Sequence, residues 1–450
     1  MYRYDLAGKL INSYVYDSDT MRNLSGTMLQ YDKESRLSGV DYCYDYTYSG
    51  GIAEVKDSYS YIYDETTGNI SRVNIHGAGA RGTLSYNFDK FYRAQSKTVS
   101  LLVGNTDVFY NHITYDYVNS LDTSGDVHLN ESGLVSQYKS TVKQSENGDE
   151  ISSATYNYSY DDLGNITGIR NGSNEIQNKY YYDDLGQLIR EDNLAKNATY
   201  VYTYDNAGNI TSKKTYAFTT GTLGTATSTV NYTYGNSWGD LLTSYNGAPI
   251  TYDAIGNPTA IDLDTLTWQG RELQTYTNEY YEISYTYNAD GIRTRKDLYE
   301  PRVGYTTRYE YTLSGTQIIS ETVYLNMSYP ENYIEQYRMI YLYDENGAPI
   351  GIKYRTPSYA AEEFDYYFFE KNLQGDIVAI YNESGVKVGT YTYDAWGNHT
   401  ATATSRRRLR DCFVVDFCFY NPSVSLTRAT SLYTREAHYH PTVHLKGVTR

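Results

Sequence analysis

Tyr202-Thr203-Tyr204-Asp205-Asn206-Ala207-Gly208-Asn209-Ile210 is the stretch that decides how this chain folds. Tyr202 and Tyr204 are two apart, so on a strand they share one face and Thr203 takes the other. Tyr and Thr both favour strands. Asp205 and Gly208 stand at the first and fourth positions of a four-residue stretch that suits a type I turn. A positive φ at the glycine would complete a hairpin with a G1 bulge. Ile210 and Thr211 open the returning strand. The unit is therefore a β-hairpin with a short Asp/Gly turn.

The phrase recurs. Tyr158-Ser159-Tyr160-Asp161-Asp162-Leu163-Gly164-Asn165-Ile166 precedes it, with Tyr180-Tyr181-Tyr182-Asp183-Asp184-Leu185-Gly186-Gln187-Leu188 between. The spacing is even, since 182 − 160 = 22 and 204 − 182 = 22. A fixed period of roughly 20–50 residues is the mark of a repeat architecture. Looser copies begin at Tyr2, Tyr61, Tyr285 and Tyr341, and Tyr252-Asp253-Ala254-Ile255-Gly256-Asn257 is a further one. The repeat accounts for 57 Tyr against 10 Phe.

One hairpin alone is marginally stable. Stacked hairpins share a continuous core whose stability is a sum of neighbour contacts. Tyr suits that face because its ring buries a large area while its hydroxyl finds a hydrogen bond. Leu163, Ile166, Leu188 and Ile210 are expected to supply the drier part. The fold class is all-β, a repeat array of stacked hairpins.

Composition narrows the function. A formal net charge of −16 argues against a nucleic-acid groove. Only 8 Pro interrupt 450 residues, as a ladder of paired strands requires. No run approaches the roughly 18 apolar residues of a membrane span. Met1 leads straight into a repeat without a signal peptide, which predicts a fragment or a truncated gene product. Three Cys make no disulfide framework, and Cys43 reads as a lone thiol in a strand.

The Tyr-Asp phrases resemble the YD repeats of Rhs proteins, bacterial wall-associated proteins, toxin-complex components and teneurins. The strongest likeness is Asn372-Leu373-Gln374-Gly375-Asp376-Ile377-Val378-Ala379-Ile380, followed by Tyr391-Thr392-Tyr393-Asp394-Ala395-Trp396-Gly397-Asn398. That segment is similar to the Rhs-associated core. The resemblance covers about residues 1–400 and implies a long β-ribbon spiralling into a hollow shell around a toxic C-terminal domain. It also implies an Asp-Pro self-cleavage site beyond the core segment. None of the 8 prolines follows an Asp, so that activity is not carried over.

Four regions are expected: degenerate repeats over 1–150, the main array over 151–370, a truncated core-like segment over 371–405, and an atypical basic tail over 406–450. The tail carries seven Arg and one Lys against Asp411, Asp416 and Glu436, so 8 − 3 gives +5, and the rest is −21. It is expected to be frame-shifted or fused sequence, disordered or poorly packed. The alternative is a basic extension for an acidic partner or membrane surface.

No catalytic, cofactor or metal residues are expected. Cys412, Cys418, His438, His440 and His444 match no standard zinc spacing. The Asp-x-x-Gly-Asn turns hold too few carboxylates each for a calcium loop. The residues singled out are structural: Tyr160, Asp161, Gly164, Tyr182, Asp183, Gly186, Tyr204, Asp205, Gly208, Tyr252, Asp253, Gly256, Tyr393, Asp394, Trp396 and Gly397.

By resemblance, the chain is a non-enzymatic part of a toxin shell used in competition between bacteria. Its partner would be the parent's own C-terminal toxin, and its setting secreted or at the cell surface, with no nucleic acid and no membrane span. The alternative is a surface module whose tyrosines bind carbohydrate or a cell-wall polymer.

Overall fold

The computed structural model describes residues 2–17, 22–44, 57–77, 80–121, 127–128, 131–235, 239–327, 332–358 and 363–403. The tail over 406–450, with its two cysteines and three histidines, lies outside the described residues.

Among the described residues the architecture is one antiparallel sheet of 32 strands. Each strand pairs with the one before it along the chain, from Tyr2–Tyr4 to His399–Ala403. One excursion, Ser120–Leu121 with Val127–His128, sits between Thr106–Tyr117 and Val135–Lys143, which pair directly. The first and last strands do not pair, so the sheet is an open ribbon. Cys43 is buried in the strand Leu37–Tyr44.

The turn chemistry sets the ribbon. In the hairpin of Ala198–Tyr204 and Ile210–Ala217, the Asp205 carbonyl accepts from the Gly208 amide at 3.1 Å. The Asp205 amide donates to the Asn209 carbonyl at 3.0 Å. Asp205 Oδ1 accepts from the Ala207 and Asn209 amides, each at 2.9 Å. The register slips by one residue between Thr203 and Tyr204, which is the bulge. Gly208 has φ +86°, and Gly164, Gly186, Gly256 and Gly397 share its left-handed sign. An L side chain in that region costs about 1–2 kcal/mol. Gly208→Ala is therefore expected to lower stability by about that amount in a denaturant titration.

The bias toward Tyr over Phe has a direct cause. Beyond the first hairpin, the Tyr before the turn Asp donates its hydroxyl to a backbone carbonyl at or next to the start of the neighbouring hairpin's returning strand. Tyr160 bonds Val135 O at 2.7 Å, Tyr182 bonds Ile166 O at 3.0 Å, and Tyr204 bonds Leu188 O at 2.7 Å. Tyr252 bonds Leu242 O at 2.6 Å and Tyr393 bonds Ile377 O at 2.7 Å. Each bond staples two hairpins. Tyr204→Phe keeps the ring and loses the staple, and a cost of about 0.5–1.5 kcal/mol is expected. A shift in the unfolding midpoint without a change in slope checks it.

One expectation is corrected. Leu163 is 77% exposed and its counterpart Leu185 is 82% exposed. Both occupy the third turn position, which points away from the sheet, so neither joins a core. Ile166, Leu188 and Ile210, on the returning strands, are half-buried.

The core forms where the ribbon overlies itself. Residues of the first part, including Val40, Val73, Leu84, Leu101 and Phe109, share a cluster with Ile319, Ile340, Leu342, Phe368 and Tyr381. The late strands are buried on both faces. In Tyr333–Tyr343, Ile340 and Leu342 face the first part, while Met339, Tyr341 and Tyr343 enter a second cluster with Ile352, Phe369 and Ile380. A strand alternates faces at every residue, so a run buried throughout lies between two layers. The late part of the ribbon is thus the inner layer. The early strands bury mainly one face, as in Ala80–Phe88, where Ala80, Gly82 and Leu84 are buried and Arg81 is exposed.

Candidate functional site: a tyrosine-lined interior

Three hairpin turns of the inner layer dock onto early strands, and buried polar groups fix each one. At the first, Asp344 receives Lys97 Nζ at 2.8 Å. Burial alone would raise the Asp344 carboxyl, but Lys97, with Lys371 behind it, holds it below the usual carboxylate range. Burial pushes the Lys371 ammonium down to about 8, and nearby Asp344 limits the fall. At the second, Tyr138 donates to Lys371 O at 2.7 Å, and Ser140 donates to Glu370 at 3.1 Å. Tyr381 donates to the other Glu370 oxygen at 2.7 Å.

The third docked turn is that of Asp394. Lys213 Nζ lies 3.0 Å from its carboxylate. Burial would raise this carboxyl too; Lys213 and the Asn398 side chain hold it low. Glu191, fully buried, accepts from the Ala395 amide at 3.0 and 3.1 Å and from Asn193 Nδ2 at 2.8 Å. Asn193 also donates to Tyr393 O at 2.8 Å. Burial, reinforced by nearby Asp394, pushes the Glu191 carboxyl up to about 7. A fourth tie, Lys353 with Asp57, is an ion pair sealed between the layers, with side chains 2% and 1% exposed.

Between the layers remains a cavity of about 1690 Å³. Tyr is the commonest residue type in its wall, with Tyr156, Tyr180 and Tyr285 from earlier strands and Tyr341, Tyr391 and Tyr393 from later ones. Carboxylates and cations are interspersed, among them Glu321, Asp376, Arg293 and Lys387. Aromatic faces with hydroxyl and amide edges suit contact with an extended polar polymer. Among the described residues no three His, Cys, Asp or Glu side chains gather as a metal site. No helix of the described residues is long and apolar enough to cross a membrane.

The motif residues divide into two groups. Asp161, Asp183, Asp205 and Asp253 each cap their own turn along a solvent-facing rim, with Gly164, Gly186, Gly208 and Gly256 closing those turns. Tyr160, Tyr182, Tyr204 and Tyr252 staple the hairpins behind them. Asp394 and Gly397 make the same turn, but it is docked, and Tyr393 and Trp396 line the cavity. Trp396 meets the Tyr202 ring edge-on at 5.8 Å and stays 44% exposed. Sequence reasoning missed Lys97, Lys213, Lys353, Glu191 and Glu370. A single Lys inside the apolar strand Pro349–Arg355 was the available signal.

No family model matches the chain. Among curated proteins it is similar to the tRNA3(Ser)-specific nuclease WapA of Bacillus spizizenii, 30% identical over 168 residues. That match covers 36% of this chain and 6% of the relative. The tRNA nuclease WapA of Bacillus subtilis is 29% identical over the same length. Among solved structures, the Tc holotoxin pore of Photorhabdus luminescens aligns with 92% of this chain and 25% of that one, at TM-score 0.52 and 16% identity. The TcdB2-TccC3-Cdc42 structure aligns with 90% and 25%, at TM-score 0.50 and 16% identity. These neighbours contain Rhs-repeat shells, and the resemblance carried by the Tyr-Asp phrases holds: the chain has the fold of an Rhs/YD-repeat shell wall.

Proposed function

We propose that this chain is a stretch of wall in an Rhs/YD-repeat toxin, encasing a C-terminal toxic domain and helping to deliver it between competing bacteria. The observation behind this reading is the ribbon that folds back over itself around a cavity rich in Tyr. The role is steric: a curved sheet keeps cargo from the producing cell until release, outside which the parent acts. The nuclease names belong to relatives of which the match covers 6%, so they describe what such a parent carries beyond its wall. A protease-sensitive domain appended to the full chain tests it. The domain should survive proteolysis far longer than the same domain free, and lose that protection once the wall is denatured. Equal cleavage rates in both settings would count against encasement.

The tyrosine-lined cavity also favours a second reading, a module that binds carbohydrate or a cell-wall polymer. Saturable binding to purified glycans, abolished by Tyr180→Ala or Tyr391→Ala, would favour it over the wall.

A further inference from the structure

The last hairpin, Lys387–Tyr393 with His399–Ala403, ends in a strand that has a ladder partner on one side only among the described residues. Its turn is tied to the early ribbon by a lysine placed directly on the turn carboxylate. Asp394 Oδ1 accepts from the Trp396 and Asn398 amides at 3.0 and 2.8 Å. Asp394 Oδ2 meets Asn398 Nδ2 at 2.9 Å and Lys213 Nζ at 3.0 Å. In the solvent-facing turns of Asp161, Asp205 and Asp253 the second oxygen is taken by the Asn four residues on, and no lysine joins it. Behind the Lys213–Asp394 pair stands Glu191, which has no contact with solvent and whose two oxygens take the Ala395 amide.

We propose that Lys213 and Asp394 join as an intramolecular isopeptide bond, formed by the folded chain itself with Glu191 as the proton carrier. An amine, a carboxyl and a second carboxylate in a buried site are what that condensation needs. The pair is held in contact, and enforced contact stands in for a very high concentration of the reactants. Asp394 and Glu191 are buried, and the Lys213 ammonium lies over the Tyr200 and Tyr202 rings at 4.4 and 5.7 Å. The hydrogen bonds to Glu191 come from N–H groups, of Ala395 and Asn193, so its carboxylate is an acceptor, as a base must be. The Lys213 charge acts on it, and its proton affinity near neutrality suits a carrier. Lys196, the other cation beside Glu191, is engaged by the Thr400 hydroxyl at 2.7 Å.

The step balances without any further reactant. Glu191 takes one proton from the Lys213 ammonium and passes it to Asp394 Oδ2, leaving a neutral amine against a neutral carboxyl. Nζ attacks Cγ and the Nζ–Cγ bond forms. Oδ1 gathers negative charge where the Trp396 and Asn398 amides already point, as in an oxyanion hole. A second proton moves from nitrogen to Oδ2 by the same carboxylate, the Cγ–Oδ2 bond breaks, and water leaves. The amide product is neutral, which removes two charges from a site where burial penalises both. The bond closes a loop of 181 residues, since 394 − 213 = 181, and ties the last hairpin to the early ribbon even in the unfolded chain. At Asp344, Lys97 makes the same contact at 2.8 Å. There the adjacent acid, Glu345, is only half-buried and is bonded to Tyr86 and Asn346, so no cross-link is expected.

Intact-mass spectrometry of the purified full chain tests this. The wild-type chain should weigh less than its sequence by one water, and tandem spectra of its digest should contain a peptide pair joined through Lys213 and Asp394. Lys213→Arg keeps a cation on Asp394 but offers no comparable nucleophile, so it should fold and show the full sequence mass. Glu191→Gln cannot carry the proton and should show the full mass too. A folded wild-type chain at full sequence mass, or one whose missing water maps to another pair, would overturn the proposal. A missing water that persists in Lys213→Arg would do the same, since a succinimide at Asp394 loses that water without the lysine. A cross-link that still forms in Glu191→Gln would overturn the part given to Glu191. If Glu191→Gln does not fold, the wild-type chain and Lys213→Arg decide. The bond is independent of what the cavity holds, so the cross-link and the encasement can fail separately.

Discussion

Lys353→Met is expected to destabilise the chain by about 3–5 kcal/mol, the cost of leaving a buried carboxylate without its cation. Lys353 and Asp57 are paired with almost no exposure, and the pair joins the inner layer to an early strand. The same logic predicts a comparable loss for Asp57→Ala. Replacing both by apolar residues of similar volume should recover most of it, because a buried pair is barely better than well-packed hydrophobes. Gly77 supplies an independent handle. A methyl group there would collide with Asp57 Oδ1 and crowd Lys353 Nζ, so Gly77→Ala should weaken the same pair without removing either charge. Denaturant titration of the four variants checks the set, and near-additive losses in the double replacement would contradict the pairing.

Phe368→Ala is expected to cost about 3–5 kcal/mol through the cavity it leaves. Phe368 is 1% exposed, and its ring stacks on Phe109 with centroids 5.1 Å apart and planes 23° from parallel. Tyr381 lies against the same Phe109 ring at 6.1 Å, so the site cannot collapse easily. The loss should appear as faster and earlier unfolding of both layers, since each buries its face against the other. A loss under about 1 kcal/mol would mean that the layers do not press together there.

Much of this was legible in the sequence because the repeat is a local device. The phrase around Asp205 specifies its own turn, bulge and staple within a few residues, and each copy repeats the instruction. That is why the all-β ribbon, the Gly conformations and the place of Cys43 in a strand could be read directly. Leu163 was misjudged because apolar character suggested burial, whereas its place in the turn fixed exposure. The overlay was invisible for a different reason. Lys353 meets Asp57, and Lys213 meets Asp394, across long stretches of chain whose return path depends on the summed twist and curl of many strands. No single phrase encodes that sum. The uninterrupted apolar run Met339-Ile340-Tyr341-Leu342-Tyr343 was the nearest hint, since a strand with one wet face would alternate.

The Glu191 cluster belongs to the same class. Its sequence, Arg190-Glu191-Asp192-Asn193, reads as an exposed polar strand end, yet Glu191, Asp192 and Asn193 are all fully buried. Burial comes from the docked Asp394 turn in Glu191 and Asn193, and Asp192 is met by Arg190 at 2.7 Å and Thr199 at 3.0 Å. Only the tertiary layer turns these polar residues into a buried tie between strand and docked turn.

The central claim is that the late ribbon lies against the early ribbon and encloses a space. A double-mutant cycle on Phe109→Ala and Phe368→Ala tests it most directly, because the two rings touch only if the layers do. A coupling of about 0.5–1.5 kcal/mol is the predicted result for a stacked buried pair. Additivity within about 0.3–0.5 kcal/mol would contradict it and leave an open ribbon with no interior.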